Sequence, residues 1–384
     1  MALLVNIAAV ITGIIGSIDI FYHEPKRRQA VRDLAKSGNF DKLRAEQLSA
    51  EPAYVEYSKF FFPLLLILVL FLSFSESVNF SLVLVIATFV SGFIWLLDKL
   101  IWESNRKQSL AKLLKAGGNE IPEIFQESVS RDPVMVEYSK AFFPIIFIIV
   151  ILRSFLFEPF KIPSGSMKPT LEVGDFVLVN KYAYGVRLPV IHTKIMNTGS
   201  PQRGDVFVFR FPGNPGVPKD QVDAVDYIKR VIGLPGDTIL YKNRRLFIKP
   251  ACGKAVEECE SVQAAGYKMI EANGYHDSDG TNLDLIEEDL LGIKHKILHD
   301  PSVSRLNNEY RFHSSCKKGN GEDIWVVPEG HYFAMGDNRE HSADSRFWCF
   351  VPEENLVGKA ITVWMNWNSE NKYFINFSRI GSIE

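Results

Sequence analysis

Apolar positions along the chain fall into two regimes. Up to residue 157 they gather in four long, charge-poor runs, at about 2–22, 57–75, 80–101 and 141–157. After residue 158 they alternate with polar ones. A helix crossing the hydrocarbon core of a bilayer needs roughly 20 apolar residues, within about 17–25. The first and third runs meet this, and the second and fourth meet it with help from flanking residues. Four such runs bracketed by charge argue against buried helices of a soluble core. The pattern predicts a four-helix transmembrane anchor over residues 1–157.

The charges between the runs orient them. Lys26, Arg27, Arg28, Arg32, Lys36, Lys42, Arg44 and Lys59 follow the first run, and Arg106, Lys107, Lys112, Lys115, Arg131 and Lys140 follow the third, whereas the short segment 76–79 carries no basic residue. The excess of Lys and Arg on cytoplasmic loops places both long loops inside. The N-terminus and everything after residue 157 then lie outside. No Lys or Arg precedes Lys26, so the first run is not a conventional cleaved signal peptide. The anchor also repeats itself. Residues 51–63 reappear as 132–144, sharing Val-Glu-Tyr-Ser-Lys, and Gly38-Asn39 corresponds to Gly118-Asn119. The unit is helix, basic amphipathic loop, helix, which indicates a duplicated two-span anchor. Its few charges, Asp19, Asp98, Lys99 and Arg153, sit near the span ends, a poor match to a transport path.

Beyond residue 158 period-two patterning predicts strands at 175–180, 205–211, 238–241, 245–249, 323–328, 331–335 and 360–365. Gly-Asp and Pro-Gly pairs mark the turns between them. Residues from about 250 to 325 are polar and read as an inserted smaller subdomain. The expected fold is therefore mostly β and partly closed, over 158–384, preceded by the helical anchor. Trp348, Trp364, Trp367 and Tyr373 are core or membrane-interface candidates. The 384 residues carry a formal net charge of −2, which gives no reason to expect a nucleic-acid partner. Of four cysteines, Cys252 and Cys259 share a short polar loop whose spacing suits a local disulfide in an oxidising compartment. No CxxC or paired-His spacing supports zinc there. Cys316 and Cys349 are left as thiols or a second bridge.

Three segments carry candidate chemistry: 160–171 with Ser164 and Ser166, 226–237 with Lys229, and 336–346 with Asp337, His341, Ser342, Asp344 and Arg346. Ser166 stands between Gly165 and Met167 in a proline-bounded loop at the exit of the last apolar run. A serine hydroxyl needs a base to become a nucleophile. Lys229 can serve if desolvation lowers its pKa, although a lysine in a strand is more often solvated or at an edge. A Ser-His-Asp set using His341 with Asp337 or Asp344 is the rival. No GxSxG elbow, HExxH or P-loop is present.

Read together, these segments resemble bacterial type I signal peptidases (leader peptidases). The resemblance is carried by Pro-Ser-Gly-Ser-Met-Lys-Pro-Thr-Leu, Tyr-Ile-Lys-Arg-Val-Ile-Gly-Leu-Pro-Gly-Asp and Met-Gly-Asp-Asn-Arg-Glu-His-Ser-Ala-Asp-Ser-Arg, in the family's order, with Arg-Gly-Asp-Val-Phe-Val-Phe between the first two. It covers about 160–384. It implies Ser166 as nucleophile and Lys229 as general base, with His341 not catalytic. It also implies Ser164 in the oxyanion hole beside the Ser166 N–H, Ser342 orienting the Lys229 amine, and Asp344 paired with Arg346. Phe160, Ile162, Leu171, Tyr227 and Ile228 match positions lining pockets for small side chains, and Cys252/Cys259 resembles a disulfide of some Gram-negative members. The implied activity is removal of signal peptides after Ala-x-Ala-type sites, with no metal or cofactor. The enzyme would be a multi-pass protein of the bacterial inner membrane with a periplasmic catalytic domain. Its partners would be preproteins at the translocation machinery and the phospholipid bilayer. The second copy of the two-span unit departs from the two-span Gram-negative form.

Overall fold

A computed structural model describes residues 2–38, 40–57, 80–117, 121–214, 225–251, 263–277, 280–303, 323–367 and 376–383. The chain divides into two units, Met1–Val150 and Ile151–Glu384.

The first unit is helical. Helix α1, Ala2–Ile18, runs through a π-helical turn, Asp19–His23, into α2, Glu24–Lys36. A short helix α3, Lys42–Ser49, begins where the Asp41 side chain accepts from the Arg44 N–H. After residue 80 the scheme recurs: α4, Phe80–Leu97, a π-helical turn Asp98–Trp102, α5, Glu103–Gly117, and the short α6, Glu123–Ser130. Helix α7, Val134–Ile151, leads through a last π-helical turn toward the β domain. Among the described residues two helical stretches are long and apolar enough to cross a membrane, Leu82–Lys115 and Val134–Leu156. Phe89, Phe93, Ile145 and Ile148 on these helices are each more than half exposed. An apolar surface of this kind has no use for water as its neighbour. Of the expected four-helix anchor, the first run forms α1 and the second lies, apart from Tyr57, outside the described residues.

The sequence repeat is also a repeat of ion pairs. Each described π-helical turn of the two copies opens on a buried aspartate, and the arginine eight residues later grips it with two hydrogen bonds. Arg27 holds Asp19 at 2.7 and 2.8 Å, and Arg106 holds Asp98 at 2.7 and 2.8 Å. A buried carboxylate requires such a partner, and the planar guanidinium fork matches it in two places. In the first copy Glu51 also approaches Arg27, at 3.9 Å; in the second its counterpart Asp132 is joined by Lys140, whose Nζ lies 2.9 Å from Asp98 and 2.7 Å from Asp132. The corresponding Lys59 lies outside the described residues. Helices α2, α3 and α6 share a small core of Val31, Ala45 and Phe125 with Ile121.

Among the described residues the second unit contains seventeen strands. They are β1 Phe157–Lys161, β2 Asp175–Asn180, β3 Val186–Arg187, β4 Lys194–Met196, β5 Val206–Arg210 and β6 Asp226–Gly233. Then follow β7 Thr238–Lys242, β8 Arg245–Lys249, β9 Gln263–Ala264, β10 Gly266–His276, β11 Asn282–Asp289 and β12 Lys294–His299. The last are β13 Ile324–Val326, β14 His331–Met335, β15 Val351–Pro352, β16 Leu356–Asn366 and β17 Gly381–Ser382, with a short α-helix, α8, at Ser345–Trp348 and 3-10 turns at Glu353–Asn355 and Phe377–Arg379. The main sheet has the order β1-β2-β16-β5-β6-β14-β15, with β17 beside β16. A four-stranded sheet β13-β7-β8-β9 and the three-stranded β10-β11-β12 complete the domain, with the β3-β4 pair at one side. Every pairing between these strands is antiparallel, as short-looped, alternating sequences favour.

Alternation along β2 buries Val177 and Val179 on one face, where Val206, Val208, Ala360 and Val363 join them with Ile162, Met167 and Leu171. Phe207, Phe209 and Val231 face a second cluster with Tyr332 and Trp348. A third lies around Trp325, Ile239, Ile248 and Phe333. The period-two reading misses the two- and three-residue strands β3, β4, β9, β15 and β17, and also β1 and β10–β12. β1 continues directly from the apolar helix, and β10–β12 fall in the polar stretch where charged side chains obscure alternation. Cys252, Cys259, Cys316 and Tyr373 lie outside the described residues.

Candidate active site

The 162–171 loop is pinned at both ends. The Ile162 N–H donates to Asp175 O at 2.8 Å and Gly174 N–H to Ile162 O at 2.9 Å, closing the loop onto β2. Leu171 N–H donates to Met167 O at 2.9 Å, and Met167 and Leu171 are both fully buried. Ser166, at the crest, is 9% exposed. Its own carbonyl accepts from Asn338 N–H at 3.1 Å, while Asn338 Nδ2 donates to Gly165 O at 3.0 Å. The third segment thus holds the first by its backbone.

Lys229 comes from the middle of β6, paired with Phe207 of β5. Its amine is buried and lies 2.7 Å from Ser166 Oγ. The same Nζ donates to the Ile228 carbonyl at 2.9 Å and sits 5.5 Å from the centre of the Tyr227 ring. Desolvation pushes its pKa down to about 8, against the opposing pull of Asp344 and Asp337. Those two carboxylates are weak opponents because each already has a guanidinium. Arg346 Nε and Nη2 grip Asp344 at 2.8 Å each, and Arg230 grips Asp337 at 2.9 and 2.8 Å. Burial alone would raise the Asp337 carboxyl, but Arg230 outweighs it and holds the group below the usual carboxylate range.

The remaining candidates take these positions. Ser164 is exposed on the loop. Asp344 also accepts from Gly336 N–H at 3.0 Å, and Arg346 donates to the Arg339 carbonyl, which ties the 336–346 loop together. Ser342 Oγ is buried without a hydrogen-bond partner among the described residues. The hydrogen bonds of the Lys229 amine go to Ser166 and Ile228 instead of to Ser342. His341 is exposed and pairs through Nε2 with Asp300 at 3.0 Å, so it does not complete a triad with Ser166. Phe160, Ile162, Leu171 and Ile228 belong to one apolar cluster, with Ile162 and Leu171 buried and Phe160 and Ile228 partly open. Tyr227 belongs to the neighbouring one, stacked on Phe211 at 4.7 Å. Among the described residues no group of three or more His, Cys, Asp or Glu is placed to hold a metal ion.

Three contributors lie beyond the residues singled out from sequence. Thr170 Oγ1 donates to Asp337 Oδ2 at 2.6 Å and so joins the serine loop to the buried Arg230–Asp337 pair. Asn338 carries the backbone clamp just described. Gly336 leaves no room for a side chain, because a Cβ there would lie well inside 3.0 Å of both Ser342 Oγ and the Ser166 carbonyl oxygen. The signals for them were an arginine in an apolar strand and an acid-bearing Gly-Asp-Asn turn. Neither reveals its partner without the fold.

The sheet leaves backbone open near this pair. β1 is an outer strand, and β14 joins β6 only from Arg230 onward, so among the described residues the edge of Asp226–Lys229 opposite β5 is unpaired. A buried serine hydroxyl against a desolvated amine defines the class as a serine-type hydrolase. The family model described as signal peptidase, peptidase S26, matches residues 135–367. A signal peptidase I of Pseudomonas fluorescens is 43% identical over 320 residues, covering 80% of this chain and 100% of its own. That of Pseudomonas aeruginosa is 42% identical, covering 80% and 99%. One from Aquifex aeolicus is 36% identical over 234 residues, 58% of this chain and 81% of its own. The chain belongs to the S26 family of signal peptidases, which are serine peptidases.

Proposed function

We propose that this chain is a membrane-anchored endopeptidase that removes N-terminal signal peptides from exported preproteins, with Ser166 as nucleophile and Lys229 as general base. The observation that carries the mechanism is the 2.7 Å approach of a buried amine, its pKa near 8, to Ser166 Oγ. An extended substrate adds as a strand between the open edges of β1 and β6. The close packing of Phe160, Ile162, Leu171 and Ile228, with Tyr227 beside the amine, leaves shallow sites for small side chains such as alanine at the first and third positions before the cut.

Neutral Lys229 takes the proton of Ser166 Oγ as the oxygen bonds to the substrate carbonyl carbon. The oxyanion is received by the Ser166 N–H, which makes no hydrogen bond among the described residues, and by the Ser164 hydroxyl. One such donor contributes about 2.7–4 kcal/mol in comparable sites. The protonated amine then gives its proton to the leaving nitrogen as the C–N bond breaks. A water deprotonated by the same Nζ cleaves the acyl ester and restores the serine. Ser342, its hydroxyl buried beside Gly336 without a hydrogen-bond partner among the described residues, takes a hydrogen bond from the amine once Ser166 Oγ has bonded to the substrate, and the Asp344–Arg346 pair holds its loop. The chemistry requires no metal or cofactor and no nucleic-acid partner.

The four runs form the multi-pass anchor in the bacterial inner membrane, with residues 158–384 in the periplasm, where the Cys252–Cys259 disulfide forms. Preprotein cleavage by the full chain in liposomes tests the reading. Ser166→Ala and Lys229→Ala abolish it, whereas His341→Ala does not. Full activity of Lys229→Ala sinks the dyad. Labelling of single cysteines at 76–79 from the cytoplasmic side alone sinks the topology.

A further inference from the structure

The anchor unit contains a cavity of about 1200 Å³ between its amphipathic helices and the ends of its apolar ones. Arg28, Arg32, Lys36, Arg106, Lys112 and Arg131 line it, and among the described residues no acidic side chain does. Its other walls include the neutral polar side chains Gln29, Asn105 and Ser109 and a set of apolar ones, among them Leu97 at the end of α4, Trp102 in the π-helical turn, and Val136 at the start of α7. The cavity therefore straddles the border at which both apolar helices turn polar.

Four of the six cations have carboxylates: Arg28 has Glu24, Lys36 has Asp33, Arg106 has Asp98 and Asp132, and Arg131 has Glu137. Arg32 and Lys112 have none among the described residues, and Arg32 Nε donates only to the Ser128 carbonyl, at 2.8 Å. Burial and the neighbouring Arg28 charge both push the Arg32 guanidinium below its ordinary pKa. A cation in that position lacks a counter-ion. Below the cup the exposed apolar faces of α4 and α7 continue, with Phe89, Phe93, Ile145 and Ile148 outward.

We propose that this cavity is a binding site for one anionic phospholipid, its phosphodiester headgroup between Arg32 and Lys112 and its acyl chains along α4 and α7. The assignment rests on the reading of these helices as membrane spans. An anionic headgroup supplies the missing charge, whereas a zwitterionic one brings its own cation, and free phosphate lacks the chains that the apolar walls accommodate. Basic pockets between membrane helices recognise lipids in this way.

The test is native mass spectrometry of the full chain in detergent, titrated with dioleoyl phosphatidylglycerol or dioleoyl phosphatidylcholine. The wild type retains one phosphatidylglycerol in preference to phosphatidylcholine. R32Q/K112Q binds it roughly thirtyfold more weakly, as expected for losing two juxtamembrane cations. K42Q/K107Q, which removes two charges outside the cavity, binds as wild type. Excess glycerol phosphate does not compete. Equal retention of the two lipids, equal loss in both double variants, or competition by glycerol phosphate overturns the site. Flotation of the chain with phosphatidylcholine vesicles and preprotein cleavage are read on the same samples. A chain that floats and cleaves without lipid preference fails this inference alone. A chain that does not float refutes the membrane reading, and one that floats without cleaving refutes the peptidase reading alone.

Discussion

The Tyr227 ring is a lever on Lys229 that separates the base from the pocket. It covers one side of the amine at 5.5 Å, and desolvation is the largest cause of a pKa near 8 instead of the ordinary 10.5. At pH 7 an amine with a pKa of about 8 is roughly one-tenth neutral, whereas one at 10.5 is neutral about once in 3000. Only the neutral form accepts the serine proton. Tyr227→Ala admits water to that side, and a partial return to about 9 lowers the neutral fraction at pH 7 about tenfold. The assay is kcat/KM for preprotein cleavage from pH 6 to 10.5. The wild-type curve rises about tenfold per pH unit below 8 and levels above it. The variant curve has its inflection near 9 and falls furthest behind at neutral pH. Any loss caused by the altered pocket persists unchanged at high pH, so the two effects can be read apart. A Tyr227→Ala curve parallel to the wild type shows that the ring does not desolvate the amine. A wild-type curve still climbing at pH 10 refutes Lys229 as a depressed general base.

Other outcomes follow from the same geometry. Gly336→Ala forces its Cβ against Ser342 Oγ and the Ser166 carbonyl, and a displacement of Ser166 by about 1 Å lowers kcat about a hundredfold; a wild-type kcat with unchanged circular dichroism refutes the steric argument. Asp337→Asn removes the carboxylate gripped by the buried Arg230 guanidinium, at about 3–5 kcal/mol. Melting in detergent should fall by about 10 °C, and the double variant R230M/D337L should recover most of it, which a melt no better than that of the single variant would contradict. His341→Ala removes a partly exposed pair with Asp300 worth under about 1 kcal/mol. It should leave cleavage near the wild-type rate, and abolished cleavage by a folded variant would revive the triad.

The apolar runs, their flanking charges and the period-two strands were legible because each is a local property of a dozen or so residues. So was the anchor repeat, read from 51–63 and 132–144; the twin Arg–Asp pairs around Asp19 and Asp98 lie outside those motifs and came from the structure. Ser166 also stood out in its segment, between Gly165 and Met167 at the exit of an apolar run. What the residues could not state was burial and partnership. Lys229 in isolation reads as an edge lysine. It is desolvated because β5 pairs with it and because a loop 63 residues away closes over its amine. His341 and Asp344 read as equivalent triad members until Asp300 takes the one and Arg346 the other. The roles of Gly336, Asn338 and Thr170 were invisible for the same reason: each acts through a contact more than 150 residues away in sequence, with Ser166, Gly165 or Asp337. Periodicity records which face of a strand is apolar. Only the folded sheet decides which polar groups lose their water and to whom they turn.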